Sequence, residues 1–178
     1  WSRAPWTIEG QIDGVYGGQL LRARCATLKA KDLVAGWVEH LLINLVSPGT
    51  TTRLIDREGI VRAFHAPASL EITERIVGTL LNRYGSGLVR PLHFFPETSL
   101  AYAVAAIKAG EREESSVDGL RAALRAWHPN DFSRSVKESE DPWNNLVYGD
   151  RPPLDDQFSE IAIAFFEPLL AHLDGDLP

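Results

Sequence analysis

The chain has 178 residues, of which 44% are hydrophobic, so it can bury one sizeable core and is expected to form a single domain over residues 1–178. Its net charge of −6 excludes a strong overall attraction for polyanions, because phosphate neutralisation requires clustered lysine and arginine. One cysteine excludes an internal disulfide framework, and no apolar run approaches the roughly 20 residues that span a bilayer, so we expect a cytoplasmic protein without membrane contact.

The first third of the chain carries the signals of two β-hairpins with a helix between them. Alternating residues predict strands, the dipeptide Gly17-Gly18 supplies the positive φ angles of a two-residue turn, and apolar residues at three- and four-residue spacing predict the helix. The predicted strands are residues 6–16, 19–25, 50–56 and 59–65, and the predicted helix is residues 31–46. Polar residues on both faces of the strand at 50–56 favour an edge position for it.

The rest of the chain is predicted to be mainly helical. The predicted helices are residues 69–84, 98–109, 117–127 and 154–173. Residues 131–153 are rich in charge, proline and asparagine, which predicts an extended loop. The expected fold is therefore α/β with α+β character, in which a small mixed sheet carries the helices.

Asp13 lies near the end of the first predicted strand, and a nuclease site would depend on it. A metal-dependent nuclease needs two or more carboxylates to hold Mg²⁺, with a lysine nearby. The facing strand contains no acid, because one face presents Arg22 and Arg24 and the other presents Ala23 and Cys25. We therefore expect no metal ion, and we expect the Asp13 carboxylate to pair with Arg22 or Arg24.

Other residues leave a second catalytic hypothesis open. A nuclease could hold Mg²⁺ through a carboxylate that has moved to another element, and the candidates are Glu39, Asp56 and Glu58. The five histidines lack neighbours at metal-ligand spacing, Cys25 is expected to be a small buried residue, and no phosphate-binding loop follows a strand. We therefore predict no cofactor, no bound ATP and no small-molecule substrate.

Two groups of residues are candidates for contacts with macromolecules. A local basic stripe, which could meet a DNA backbone or could simply be a solvated strand edge, consists of Arg22, Arg24, Lys29 and Lys31. Four aromatic residues could contact a protein partner or fill the core, and they are Phe94, Phe95, Trp143 and Tyr148. A ring that is more than half exposed is the better candidate for a partner contact.

Three segments of the sequence resemble the RecC family, the gamma subunit of exodeoxyribonuclease V, in its C-terminal part. They are IEGQIDGVYGGQLLRARCATLKAKDLVAGWVEHLL at residues 8–42, GLVRPLHFFPETSLAYA at 87–103 and DPWNNLVYGDRPPLDDQFSEIAIAFFEPLL at 141–170. Their order and approximate spacing agree over nearly the whole chain. The absence of methionine, including at position 1, also suggests a fragment of a longer protein, from which the N-terminal part of the fold could be missing.

The resemblance implies a PD-(D/E)XK nuclease-like fold that has lost its catalytic residues. Active relatives take their acids from a GxID-like strand and a D-x-K-like strand, and here Gly10-Gln11-Ile12-Asp13 matches the first while the second is absent. Asp13 is then a vestigial position. Chi recognition is expected to lie upstream of this chain.

The resemblance also implies a setting and partners. It places the chain in a subunit of the heterotrimeric RecBCD helicase-nuclease, with RecB and RecD as partner subunits and DNA met within the complex. The expected function is a non-catalytic scaffold that docks RecD and guides DNA strands. The alternatives are an active Mg²⁺-dependent exonuclease with a migrated carboxylate, or a protein-interaction module without DNA contact.

Overall fold

The computed structural model of the chain describes residues 1–110, 115–128, 137–175 and 177. These residues form two compact units. Unit 1 comprises Trp1–Ser86 and Pro168–Pro178, and unit 2 comprises Gly87–Glu167. The prediction of a single domain over residues 1–178 stays a prediction, since two compact units can be subdivisions of one domain.

Unit 1 contains a two-stranded ribbon and a five-stranded mixed sheet. The ribbon pairs β1 (Ser2–Arg3) with β2 (Trp6–Thr7). The sheet consists of β3 (Val15–Tyr16), β4 (Gln19–Ala23), β5 (Thr51–Ile55), β6 (Val61–Phe64) and β7 (Leu173–Asp174), in this order across the sheet. Only β4 and β5 are parallel among these described strands, and the other neighbours are antiparallel. The predicted mixed α/β fold is confirmed.

The first hairpin forms at the predicted turn but with shorter strands. Tyr16 faces Gln19, and the two residues between them, Gly17 and Gly18, have φ angles of 55° and 78°. The continuous strand predicted over residues 6–16 is wrong, because residues 8–14 adopt an irregular conformation between β2 and β3. Gly14 has a φ angle of 78°, which is outside the range of an extended strand. Asp13 therefore precedes the sheet and is not part of it.

Helix α1 (Ala30–Val46) makes the crossover that a parallel β4–β5 pair requires. It packs closely on the sheet, since a Cβ atom at Gly36 would lie 2.7 Å from a methyl group of Leu54. Trp37 and Leu41 of α1 are fully buried together with Phe64 of β6. The predicted helix and the second hairpin, β5 with β6, are confirmed, but the edge position predicted for β5 is wrong because β5 is the central strand.

The remaining elements are helices, which match the predicted ones with two additions. They are α2 (Leu70–Gly87), α3 (Pro96–Ala109), α4 (Ser115–Trp127), a 3₁₀ helix (Glu138–Glu140), α5 (Pro142–Tyr148) and α6 (Asp156–His172). The four predicted helices correspond to α2, α3, α4 and α6. No helix in the described part of the chain is long and apolar enough to cross a membrane.

Helix α5 contradicts the extended loop predicted over residues 131–153. Residues 131–136 lie outside the described residues, whereas residues 138–148 are mostly helical. The helix begins because the Asp141 carboxylate accepts hydrogen bonds from the backbone N–H groups of Trp143 and Asn144, while Pro142 occupies the first helical position. Asp141 and Pro142, which contributed to the loop prediction, are the residues that start this helix.

Unit 2 has its own aromatic core. Its buried residues are Phe95, Tyr102, Ala123, Trp127, Phe158 and Ala162. The ring of Phe95 lies 4.8 Å from that of Trp127, and the ring of Tyr102 lies 5.4 Å from that of Phe158, both edge to face. Phe95, which precedes α3, belongs to this core, and Tyr148 at the end of α5 packs against it.

Candidate functional site

The hairpin region, which we define as β3, β4 and α1, is where the sequence predicted a vestigial nuclease site. Leu20 of β4 is fully buried, and side chains two residues apart on a strand share a face, so Arg22 is directed to the same side as Leu20, while Arg24 follows the end of β4. Both arginines meet acids of α1 there. Arg22 Nε donates to Glu39 Oε2 at 2.6 Å, and the Arg24 guanidinium pairs with Asp32.

Arg22 also holds the chain that leads into β3. Its Nη1 donates to the backbone carbonyl of Asp13 at 2.7 Å and to that of Leu21 at 3.1 Å. A Cβ atom at Gly14 would lie 2.8 Å from this Nη1. One guanidinium therefore fixes the backbone before β3 while it neutralises a carboxylate of α1.

The expected ion pair between Asp13 and an arginine is wrong for the side chain. The Asp13 carboxylate is exposed and accepts a hydrogen bond from Gln11 Nε2 at 2.6 Å. Arg22 contacts the backbone carbonyl of Asp13, and Arg24 pairs with Asp32. The reason is the turn at Gly14, which precedes β3 and takes Asp13 out of the strand alternation.

The acids of the alternative nuclease hypothesis are each engaged elsewhere. Glu39 pairs with Arg22, and the exposed Glu58 lies 3.5 Å from Arg57. Asp56 is only 6% exposed, and its Oδ1 accepts from the backbone N–H groups of Glu58 and Ile60 at 2.8 and 2.9 Å. Among the described residues, no group of three or more His, Cys, Asp or Glu side chains could hold a metal ion.

The basic stripe divides into paired and exposed members. Arg22 and Arg24 are partly buried in their ion pairs, whereas Lys29 and Lys31 are exposed at the start of α1. The Asp32 carboxylate also accepts from the backbone N–H of Lys29 at 2.8 Å and so caps α1. The lysines are thus the members of the stripe that are best placed to meet a phosphate.

Two other single residues, Cys25 and His40, have well-defined environments. Cys25 is exposed just beyond β4, so the expectation of a buried cysteine is wrong. His40 is fully buried in α1, with Nδ1 2.9 Å from Thr52 Oγ1 and Nε2 3.2 Å from the carbonyl oxygen of His65. Burial lowers the pKa of His40 to about 4, partly offset by the hydrogen bond to His65. His40 is therefore a neutral structural residue near neutral pH.

A cavity of about 320 Å³ lies between the β1–β2 ribbon and α2, and sequence reasoning missed it. Its wall includes Trp1, Trp6 and Arg75. Glu74 occupies part of this wall, where it accepts hydrogen bonds from Trp1 Nε1 at 3.3 Å and from Arg3 Nη1 at 3.4 Å. The contacts join residues far apart in sequence, so periodicity gave no signal of the cavity.

The four aromatic candidates separate clearly by exposure. Phe95 is 4% exposed, and Phe94 is partly buried against the rings of Phe165 and Phe166, at 5.0 and 5.9 Å. Tyr148 is half-buried. Trp143 is 74% exposed, so it alone of these four passes the predicted criterion for a partner contact.

Helix α5 exposes an apolar face, which we call the outward face and define as Trp143, Leu146 and Val147. These residues are spaced by three and four positions, so they share one side of the helix. Their exposed fractions are 74%, 75% and 50%. Sequence reasoning missed Leu146 and Val147 because the segment was interpreted as a loop; the signal was the Asp-Pro helix start followed by this spacing.

The opposite side of α5 makes polar contacts with other residues of unit 2. Asn144 Nδ2 donates to the carbonyl oxygen of Glu138 at 2.8 Å, and Tyr148 Oη donates to that of Leu92 at 3.1 Å. The Tyr148 ring lies 5.5 Å from that of Phe95, edge to face. The helix is therefore held by its polar and aromatic side.

Glu138 links this segment to α3. Its carboxylate accepts from the backbone N–H groups of Glu97 and Thr98 at 3.0 and 2.9 Å, where the N-terminus of α3 favours negative charge. Burial raises the pKa of Glu138 in spite of these hydrogen bonds. The carboxylate is thus a partly buried structural contact.

Comparison with known proteins identifies a family. The model of a family described as the RecC C-terminal domain matches residues 2–107, which is more than half of the chain. The matched range includes the ribbon, both hairpins, α1 and α2, and most of α3. No curated protein matches the chain.

Proposed function

Because this chain belongs to the RecC C-terminal domain family, we propose that it is a non-catalytic domain of a RecC-type subunit, which docks the RecD helicase subunit and guides DNA strands. Membership in the family suggests a role in RecBCD-type recombination repair. Domains of this family are part of the exodeoxyribonuclease V complex, so other subunits are implied as partners. We propose RecB and RecD as these partners, in the cytoplasm.

The observation that carries the non-catalytic proposal is the position of Arg22. A nuclease would need a carboxylate on β4 to hold Mg²⁺ together with the acid of the preceding segment. Here a guanidinium occupies β4 and lies 2.6 Å from Glu39 and 2.7 Å from the carbonyl oxygen of Asp13. A divalent cation at this place would be repelled by Arg22 and would lack a free carboxylate from Glu39. The vestigial role of Asp13 rests on this argument.

The topology is compatible with a PD-(D/E)XK nuclease-like fold that has lost its catalytic residues. The hairpin of β3 and β4, the helix α1 and the parallel strand β5 follow one another in the chain. We propose this fold for the domain on the family resemblance and on this order of elements.

The DNA part of the proposal is subordinate to docking. The exposed Lys29 and Lys31, with Arg22 and Arg24 beside them, form a local basic stripe in a chain whose net charge is −6. Such a stripe can contact a phosphate backbone that other subunits hold in place, but it does not attract DNA strongly by itself. An interaction module without DNA contact is the alternative if these lysines prove irrelevant.

Deleting this domain, residues 1–178, from a complete RecC-type subunit tests docking. We expect the truncated protein to lose its association with RecD, because the contact surface is removed. Co-purification of tagged subunits at several salt concentrations is the measurement. Retained assembly with RecD, together with loss of DNA binding, would show that the proposal assigns the wrong principal partner.

Nuclease activity is tested on the same full-length protein. Linear duplex and single-stranded DNA should stay intact with Mg²⁺ or Mn²⁺ in the absence of RecB, because Arg22 occupies β4 and pairs with Glu39. Asp13→Ala and Glu39→Gln are the matched variants. Cleavage that disappears in either variant would favour the active exonuclease with Glu39, Asp56 or Glu58 as the migrated carboxylate.

A further inference from the structure

The outward face of α5 is oriented against the usual rule for a surface helix. Such a helix normally turns its apolar side chains to the core and its polar side chains to water. Here Asn144 and Tyr148 make the inward contacts at 2.8 and 3.1 Å, while Trp143 and Leu146 are about three-quarters exposed. Exposing a contiguous apolar group of this size costs free energy, and in soluble proteins it commonly marks an interaction site.

The charges around this face specify what kind of surface it can meet. Residues 137–156 include six acidic residues and two basic ones, Lys137 and Arg151. Three of the acids already make structural contacts, since Asp141 caps α5, Glu138 caps α3 and Asp155 lies 2.9 Å from His93. The other three acids, Glu140, Asp150 and Asp156, are exposed, and Glu140 also accepts a hydrogen bond from the backbone N–H of Lys137 at 2.8 Å.

Glu140 and Asp150 bracket the apolar face along the chain. Glu140 precedes Trp143 by three residues, and Asp150 follows Val147 by three residues. An apolar centre with a charged rim is the usual composition of a protein–protein interface. Negative charge on both sides repels phosphate, so nucleic acid is disfavoured as the occupant.

We propose that the outward face of α5 is the docking surface for a partner protein whose contact area has an apolar pocket for the Trp143 ring and a rim of lysine or arginine. This inference rests on the proposed docking function and locates it. Trp143 enters the pocket, Leu146 and Val147 extend the apolar contact, and Glu140 and Asp150 pair with the basic rim. The partner is another subunit of the complex.

The test measures the affinity of the full-length protein for purified RecB and RecD, with single substitutions in residues 1–178. We expect Trp143→Ala to weaken binding by about 30-fold, the effect of a hot-spot residue. Leu146→Asn is the second variant and should weaken binding by about 10-fold. Tyr16→Ala is the matched control, because Tyr16 is an exposed aromatic residue, 68% exposed, in unit 1.

Charge reversal tests the chemistry of the rim. Glu140→Lys and Asp150→Lys should each weaken binding several-fold at low salt, and the difference from wild type should shrink as salt rises. Glu71→Lys on α2 is the control, because Glu71 is also exposed but lies in unit 1. Charge reversals that leave binding unchanged would overturn the assignment of a basic partner surface.

The outcomes separate this inference from the proposed function. If deleting residues 1–178 abolishes assembly while Trp143→Ala and Leu146→Asn, both folded by circular dichroism, bind as wild type, docking stands and this location is wrong. If the wild-type protein self-associates in sedimentation and Trp143→Ala abolishes this, the occupant is a second copy and the inference is overturned. DNA binding that depends on Trp143 would overturn it as well.

Discussion

The hairpin region and the outward face of α5 differ in whether the side chains that could bind a partner already have contacts within the protein. In the hairpin region, the Arg22 guanidinium could bind a ligand but is paired internally with Glu39. On α5, apolar groups that could be buried are exposed, as for Trp143 and Leu146. The difference indicates that substitutions in the first region should change stability, whereas substitutions on the second should change binding.

The largest expected effect is the pH dependence that His40 gives to the hairpin region. The folded-state pKa is about 4 and the ordinary value is 6.5, so the unfolded chain takes up a proton first as the pH falls. Stability from this group is present above pH 6.5 and is lost as the pH falls toward 4. The loss in the free energy of unfolding should approach roughly 3 kcal/mol.

Urea unfolding between pH 4 and 7 measures this loss, and His40→Gln is the comparison because glutamine cannot titrate. The variant should be less stable at pH 7 and should show a flatter dependence on pH. A variant with the same slope as the wild type would assign the acid sensitivity to other groups and would weaken the contrast between the two regions.

Asp141→Ala is expected to have the next largest effect on stability. It tests how firmly α5 is held in its helical conformation. It removes the acceptor for two backbone N–H groups, so it should lower the stability of the helix by about 1 kcal/mol. Hydrogen exchange of the α5 amides should accelerate. Asp141→Asn keeps an acceptor and should behave nearly as wild type; equal losses in both variants would contradict the capping role.

The smallest expected effect comes from Arg22→Ala, because the pair with Glu39 is about one-third exposed on both sides and therefore screened by solvent. We expect a loss of about 0.5 kcal/mol from the ion pair and the hydrogen bond to Asp13 together, because both are screened by solvent. Arg22→Lys keeps the charge and should recover part of it. Thermal unfolding at low and high salt separates the two contributions; no loss in Arg22→Ala would show that the hairpin region is not held by this residue.

Sequence patterns predicted the elements whose hydrophobic residues repeat over several turns or strand positions. Helix α1 and the hairpin turn at Gly17-Gly18 are of this kind. Helix α5 was missed because its seven residues are too short for a repeat to stand out from a polar background. The central position of β5 was missed because Thr52 is polar, yet it is fully buried through its contact with His40, twelve residues away.

The candidate site was predictable in composition but not in pairing. The missing acid on β4 and the basic residues that replace it can be read directly in the sequence. Which acid each arginine meets depends on how α1 lies on the sheet, and that is a long-range property. Exposure is also long-range: among the aromatic candidates, Phe95 is buried by Trp127 and Trp143 is not covered, although both belong to segments rich in polar residues or proline.

The polar attachment of α5 has a consequence for the entropy of binding. The cap at Asp141 and the contacts of Asn144 and Tyr148 order this helix before any partner arrives. A partner that meets an already ordered helix does not have to supply the free energy of folding it, which disordered segments require at the moment of binding. Association with the outward face should therefore resemble the meeting of two rigid bodies, and its heat-capacity change should reflect the buried apolar area alone, without a contribution from coupled folding.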